Sequence, residues 1–181
     1  MKRLLLHVCC APCATSAIEQ LSEIYDVTLL FYNPQIFPLK EYRKRLSEVR
    51  RLAEKMDVPL IEGDHDPCLW YEAVEGHEKD EERGERCNIC FRFRLKDTLR
   101  ILKEKGFDLF ATTLTISPYK NTQKINDIGK ELSGERYLVT DLKKHGGYER
   151  SIQISKWFNL YRQNYCGCVF SMNKSIASPK E

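Results

Sequence analysis

Lys2-Arg3-Leu4-Leu5-Leu6-His7-Val8-Cys9-Cys10-Ala11-Pro12-Cys13 opens on an apolar run and breaks at two adjacent cysteines and a proline. The run predicts a strand near residues 3–8, and the residues that follow predict a helix near 13–24. The same alternation continues outward. A strand at 27–32 precedes a helix near 40–56, a third strand lies near 58–62, and a short apolar piece surrounds Cys68-Leu69-Trp70. The polar stretch from Glu72 to Arg86 reads as a loop over the site. From Cys90 to about Lys105 a helix places Phe91, Leu95, Leu99 and Leu102 on one face, and Gly106 stops it. A strand at 108–114, a helix near 122–132, a strand at 136–140 and a last helix near 150–163 complete the order. Strands alternating with helices over 181 residues predict one α/β domain spanning 1–181. Its expected form is a three-layer αβα arrangement around a mainly parallel sheet, with ligands gathered at the carboxyl ends of the strands.

Eight cysteines fall into three clusters, Cys9-Cys10-x-x-Cys13, Cys87-x-x-Cys90 and Cys166-x-Cys168, with Cys68 apart. Grouped thiols are soft ligands that converge on a metal or a redox centre. The opening apolar run is too short for a signal segment or a membrane span, so a cytoplasmic protein with no membrane partner is expected. In that reducing setting such spacings serve metal binding or catalysis rather than structural disulfides.

Cys87-x-x-Cys90 stands at the start of a predicted helix, where free N–H groups and the helix dipole favour thiolate. The spacing alone is shared by zinc knuckles, iron–sulfur sites and dithiol redox enzymes. Adjacent sulfurs at a strand end, as at Cys9 and Cys10, fit different irons of one cluster more readily than one tetrahedral zinc. A bond from Cys166 to Cys168 would close a small strained ring, which suits a redox-active or metal-binding dithiol better than a structural bridge. Cys13 reads equally as facing the same cavity or as packing, and Cys68 as a small core residue. His7 reads as a satisfied core histidine. His65, between Asp64 and Asp66 at a strand end, stands where a proton donor is useful.

Formal net charge is +3, but residues 1–86 carry 12 basic and 17 acidic side chains, a net of −5, whereas residues 87–181 carry 17 and 9, a net of +8. The second half therefore suits a polyanion.

Four strings, taken in order, reach a family: His7-Val8-Cys9-Cys10-Ala11-Pro12-Cys13, Arg86-Cys87-Asn88-Ile89-Cys90-Phe91, Thr112-Thr113-Leu114-Thr115-Ile116-Ser117-Pro118-Tyr119-Lys120 and Tyr161-Arg162-Gln163-Asn164-Tyr165-Cys166-Gly167-Cys168. Together, with Asp141-Leu142-Lys143-Lys144 between the last two, they resemble the QueH family of epoxyqueuosine reductases over nearly the whole chain. The resemblance implies an adenine-nucleotide-hydrolase-like sheet of Rossmann-like layout. Cys-Cys-Ala-Pro-Cys stands where ATP-using relatives carry a glycine- and serine-rich phosphate loop, so no use of ATP is expected.

The implied reaction converts the epoxide of epoxyqueuosine, at the wobble position of a tRNA anticodon, into the cyclopentene of queuosine. Oxygen leaves as water, which takes two electrons and two protons. The resemblance assigns Cys9, Cys10, Cys87 and Cys90 as ligands of a 4Fe–4S cluster, and Cys166 with Cys168 as a redox-active pair. A cluster passes one electron at a time, so either that pair or an additional iron would be the second redox element. The electron donor is not named by the sequence. The segment 150–170 is expected to close over the metal site.

Asp66 is the first choice for proton delivery, with Asp64 and His65 next. Lys120, Lys143, Lys144, Arg150 and Arg162, with Tyr119 and Tyr165, are candidates for holding the splayed anticodon. A reading from another class is a zinc-stabilised RNA-binding module without redox activity. A tRNA-thiolating relative would need the missing glycine-rich loop, and a thioredoxin-like oxidoreductase would need a single CxxC after its first strand.

Overall fold

The computed structural model describes residues 1–177 of the chain; the single-domain expectation for 1–181 extends past it to residues 178–181, which lie outside the described residues. Four strands, β1 (Arg3–His7), β2 (Asp26–Phe31), β3 (Leu60–Glu62) and β4 (Leu109–Thr112), form one sheet in the order β3-β2-β1-β4. Every pairing is parallel, with Leu5 opposite Thr28 on one side and Phe110 on the other.

The unbroken leucine run of β1 follows from burial of both faces. Leu4, Leu6 and Val8 pack with Leu29 and Phe31 against α1 (Ala11–Ser22) and α2 (Leu39–Lys55). Leu5 and Leu30 point the other way, onto Phe91, Leu95, Leu99 and Leu102 of α4 (Glu85–Lys105) and Ile125 and Ile128 of α5 (Thr122–Ser133). Side-chain alternation along one strand thus divides the helices into two layers, giving the expected αβα sandwich. The short α3 (Pro67–Ala73), with α6 (Gly147–Trp157) and α7 (Val169–Ala177), completes the set of α-helices among the described residues. None of the described helices is long and apolar enough to cross a membrane.

The expected strand at 136–140 is reduced to a bridge between Phe110 and Tyr137. Side chains take the groups a ladder would need: Asn126 Nδ2 donates to the Thr140 carbonyl at 2.9 Å, and the Thr115 and Thr140 hydroxyls meet at 3.0 Å. Likewise β4 stops at Thr112 because its hydroxyl accepts the Leu114 N–H at 3.2 Å and begins a 3₁₀ turn over Thr113–Ile116. The last predicted helix ends at Trp157 rather than near 163. Arg51 of α2 captures the next carbonyls, those of Phe158 at 3.1 Å and Asn159 at 2.7 Å, and Glu48 accepts the Tyr161 N–H at 2.8 Å.

α6 begins where the chain turns back onto α1. Ser16 donates to the Gly147 carbonyl at 2.7 Å, and a Cβ on Gly147 would lie 1.9 Å from the Leu142 carbonyl oxygen. Backbone cannot yield as a side-chain tip does, so Gly147→Ala is expected to cost about 3 kcal/mol or more in urea unfolding.

His7 is fully buried in β1. Its Nε2–H donates to the Tyr32 carbonyl at 3.1 Å, since a carbonyl only accepts, and Nδ1 therefore accepts the Thr112 hydroxyl at 2.9 Å. Burial, aided by the Arg94 charge, holds its pKa down at about 4. The unfolded chain takes up a proton near pH 6.5 and the folded one does not. Stability is therefore complete above that pH and falls by up to about 3 kcal/mol as pH drops from 6.5 to 4. Urea titrations of metal-free protein should show this slope, and His7→Gln should remove about one proton of it.

Candidate metal centre

β1 pairs with β2 on one side and with β4 on the other, so the chain leaves β1 toward one edge of the sheet and later returns to the opposite edge. The two connections part at the carboxyl ends of β1 and β4 and leave a crevice between them, the place where open parallel sheets bind ligands. A cavity of about 820 Å³ lies here, and it is lined by Cys9, Cys13, Cys87, Cys90, Cys166 and Cys168. Three segments separated by more than 70 residues each therefore bring thiols to one space. All eight cysteines are free.

The first cluster owes its shape to the strand-to-helix turn. Cys10 is the N-cap of α1, in extended conformation, and the helix starts at Ala11-Pro12, where proline needs no N–H partner. The Cys9 and Cys10 sulfurs stand 3.9 Å apart, with Cys13 one turn on. Hydrogen bonds from Cys10 and Cys13 hold the Cys9 thiol well below its ordinary pKa. Cys10, which gains from Cys13 but is opposed by Cys9 and by burial, is pushed up to about 12, and Cys13 is raised by its two neighbours. Of the three thiols, Cys9 is the one that its neighbours favour as thiolate.

The second cluster occupies the first turns of α4. Burial raises both Cys87 and Cys90; the Arg83 N–H, 3.3 Å from the Cys87 sulfur, and the Arg94 charge near Cys90 oppose it. The expected thiolate preference at this helix start is outweighed by desolvation. Burial and the neighbouring Cys166 likewise push Cys168 up to about 12.

The third cluster arrives on a strap, residues 158–168, buckled to α2. Arg45, 1% exposed, donates to Glu41 at 2.7 Å and to the carbonyls of Cys166 at 2.9 Å and Tyr165 at 3.1 Å. The Phe37 N–H reaches the Gly167 carbonyl at 2.8 Å, and Gly167 takes φ 137°, where a Cβ would meet Arg45 and Ile36. The loop after α3 covers another side. Buried Arg86 donates to the carbonyls of His77, Glu78 and Asp80 at 3.0, 3.0 and 2.6 Å, while Glu82 and Arg83 of this loop line the cavity.

Several expected site residues lie elsewhere. Asp66 does not line the cavity: it caps α3, accepting the Cys68 N–H at 3.0 Å, and the His65 ring meets the Tyr42 ring at a tilt, with centroids 3.7 Å apart. Lys143 donates to the Thr122 hydroxyl at 2.6 Å, Lys144 pairs with Asp141 at 3.5 Å, and Arg150 forks onto Glu19 at 2.8 and 2.9 Å, all outside the lining. Cys68 is exposed, not core; Trp70 fills that role. Cys10 is buried behind Cys9 rather than on the cavity surface, whereas Cys13 is on it. Lys120, Arg162, Tyr119 and Tyr165 do line the cavity. Sequence reading missed Arg94, Gln35 and Trp70, which also line it. Arg94 left a signal, since it follows Cys90 by four residues and so shares its helix face.

The donor set fits a thiolate-ligated metal centre: six sulfurs on one cavity, with Glu82 as the one carboxylate in the lining among the described residues. Among the described residues no three Cys, His, Asp or Glu side chains already surround one metal position.

The chain is similar to known proteins over nearly its whole length. A family model described as epoxyqueuosine reductase QueH matches residues 4–174. Proteins named epoxyqueuosine reductase QueH are similar throughout. That of Streptococcus pyogenes is 40% identical, covering 93% of this chain and 69% of the relative. That of Acinetobacter baylyi is 41% identical, covering 94% and 80%. That of Thermotoga maritima is 36% identical, covering 95% and 91%. Among solved structures, the U34-tRNA thiolase NcsA from Methanococcus maripaludis, with its 4Fe–4S cluster, shares the fold at a TM-score of 0.54 and 11% identity, covering 98% of this chain and 65% of its own. With its family signature spread over three cysteine clusters that meet at the switch point of the sheet, the chain belongs to the QueH family of epoxyqueuosine reductases, enzymes of oxidoreductive tRNA modification.

Proposed function

We propose that this cavity holds a 4Fe–4S cluster and that the chain uses it to reduce the epoxide of epoxyqueuosine in a tRNA anticodon to the alkene of queuosine. The observation that carries the reading is the convergence of three distant cysteine clusters on one cavity at the carboxyl ends of β1 and β4. Cys9, Cys87 and Cys90 on the cavity surface, with Cys10 turned outward from behind Cys9, would hold the cluster, which when bound supplies electrons one at a time. Cys13, Cys166 and Cys168 remain for a second redox element, either a cycling dithiol or the ligands of a further iron. The electron donor is a separate partner.

The rest of the work falls to the chain's own residues. Lys120 lines the cavity; burial opposes its charge, but the sulfurs of Cys166, Cys9 and Cys13 hold its pKa above the ordinary lysine range. It is a fixed cation for the oxygen that leaves, and Tyr119 and Tyr148 add hydroxyls to the same lining, which Asp66 does not reach. Arg83, Lys124 and Arg162 place positive charge on the same lining, suited to phosphates on either side of a splayed nucleotide. The strap 158–168 and the loop anchored by Arg86 wall two sides of the reacting centre.

The test is anaerobic reconstitution of wild type and Cys87→Ala, with iron, zinc, acid-labile sulfide and visible absorption measured, then turnover of epoxyqueuosine tRNA. Wild type should hold about four irons and four sulfides with broad brown absorption and should form queuosine. Cys87→Ala should lose both colour and turnover. Colourless wild-type protein holding zinc without sulfide would overturn the proposal in favour of an RNA-binding module. Cys166→Ser should keep its iron and sulfide yet fall to background turnover.

A further inference from the structure

Three arginines are almost wholly buried around the cavity, and two have evident partners. Arg45 is neutralised by Glu41 at 2.7 Å. Arg86 spends its guanidinium on three loop carbonyls and lies 4.5 Å over the ring of Phe170. Arg94 differs. It is 1% exposed, in the second turn of α4 beyond Cys87, and its polar contacts are two long ones: Nε to the Cys90 carbonyl at 3.4 Å and Nη1 to Asn33 Oδ1 at 3.5 Å. Among the described residues no carboxylate lies within 4.0 Å of it, and its nearest aromatic contact, the Phe91 ring, is 5.7 Å away.

A guanidinium cannot shed its charge in a protein. Buried without a counter-ion it costs several kcal/mol, so a fold that keeps one must place an anion beside it at the working state. The side chain lines the cysteine cavity, where the sulfurs of Cys90, Cys9, Cys166 and Cys87 are the groups whose negative charge, as thiolates, would reach it.

We infer that Arg94 is the built-in counter-charge of the thiolate-ligated centre, a positioning residue that stabilises the loaded site and makes it easier to reduce. The inference rests on the iron–sulfur reading above and assigns the buried cation a partner that arrives with the metal. The chain itself gives Arg94 two long hydrogen bonds and, among the described residues, no carboxylate, so its charge is left to be compensated from the cavity. Loading surrounds it with a thiolate shell of net negative charge, and the same arginine changes from a cost into a stabilising contact. Each added electron makes the centre more negative, so a cation at this position favours the reduced state.

The test compares wild type, Arg94→Met, which keeps the length of the stem without the charge, and Arg94→Lys. Thermal unfolding is measured on metal-free protein at pH 6 and on anaerobically reconstituted protein, and the midpoint potential is followed by EPR-monitored titration. Arg94→Met should melt at or above wild type when metal-free and below it when loaded. Its midpoint should fall by at least the 59 mV that a tenfold change in a one-electron equilibrium represents. Arg94→Lys should restore most of both differences at unchanged iron and sulfide content. A variant Arg94→Met that is equally destabilised with and without metal, or that keeps the wild-type potential, would show a purely structural arginine and overturn the inference. Wild type that takes up no iron or sulfide would instead overturn the iron–sulfur reading. In that case the metal-free comparison still judges Arg94, because a metal-free Arg94→Met less stable than wild type removes the uncompensated cation on which the inference stands.

Discussion

β1 is hydrogen-bonded on both edges and buried on both faces, and the rest of the molecule is arranged around that condition. A strand in this position can carry no polar alternation, so Leu4, Leu5 and Leu6 serve two cores at once. Its carboxyl end is also where the chain must leave the sheet, and a strand with neighbours on both sides leaves a gap there, since the connections on its two flanks run to opposite layers. Cys9 and Cys10 occupy that end and Cys13 the helix turn just after it. The position that is most constrained for folding is therefore followed at once by the residues most committed to chemistry.

The other thiols are brought to this end by polar clamps. α2 presents Glu41, Arg45, Glu48 and Arg51 to the strap, and each spends hydrogen bonds on strap backbone or on Tyr161 rather than on solvent. Arg86 does the same for the acidic loop after α3. Backbone carbonyls held by buried guanidinium groups are well suited to fixing irregular chain, because each donor fork satisfies acceptors that would otherwise be buried unpaired. The irregular segments that border the cavity are in this way tied to α2 and α4.

Electrostatically the cavity is a cationic shell around thiols among which Cys9 is favoured as thiolate. Burial keeps protons on most of the thiols, whereas Arg94 and Lys120 stay charged. A ligand shell that carries negative charge reverses this imbalance, and the cavity is better matched to such a shell than to the thiols alone.

The amino-acid order by itself determined the α/β alternation, the three-layer form, the α4 face from Phe91 to Leu102 and the grouping of cysteines, because each is written in local periodicity or spacing. The family signature was legible for the same reason. Only the tertiary structure decided that the 136–140 segment would pair at one bridge, that Asp66 would cap a helix outside the cavity and that Lys143, Lys144 and Arg150 would be occupied with Thr122, Asp141 and Glu19. Their competing partners lie up to 131 residues away in the chain, and no local pattern records them. The same holds for Arg94 and Arg45: a sequence shows a basic residue on a helix, but whether its charge meets water, a carboxylate or a cavity of sulfurs is set by which segments fold over it.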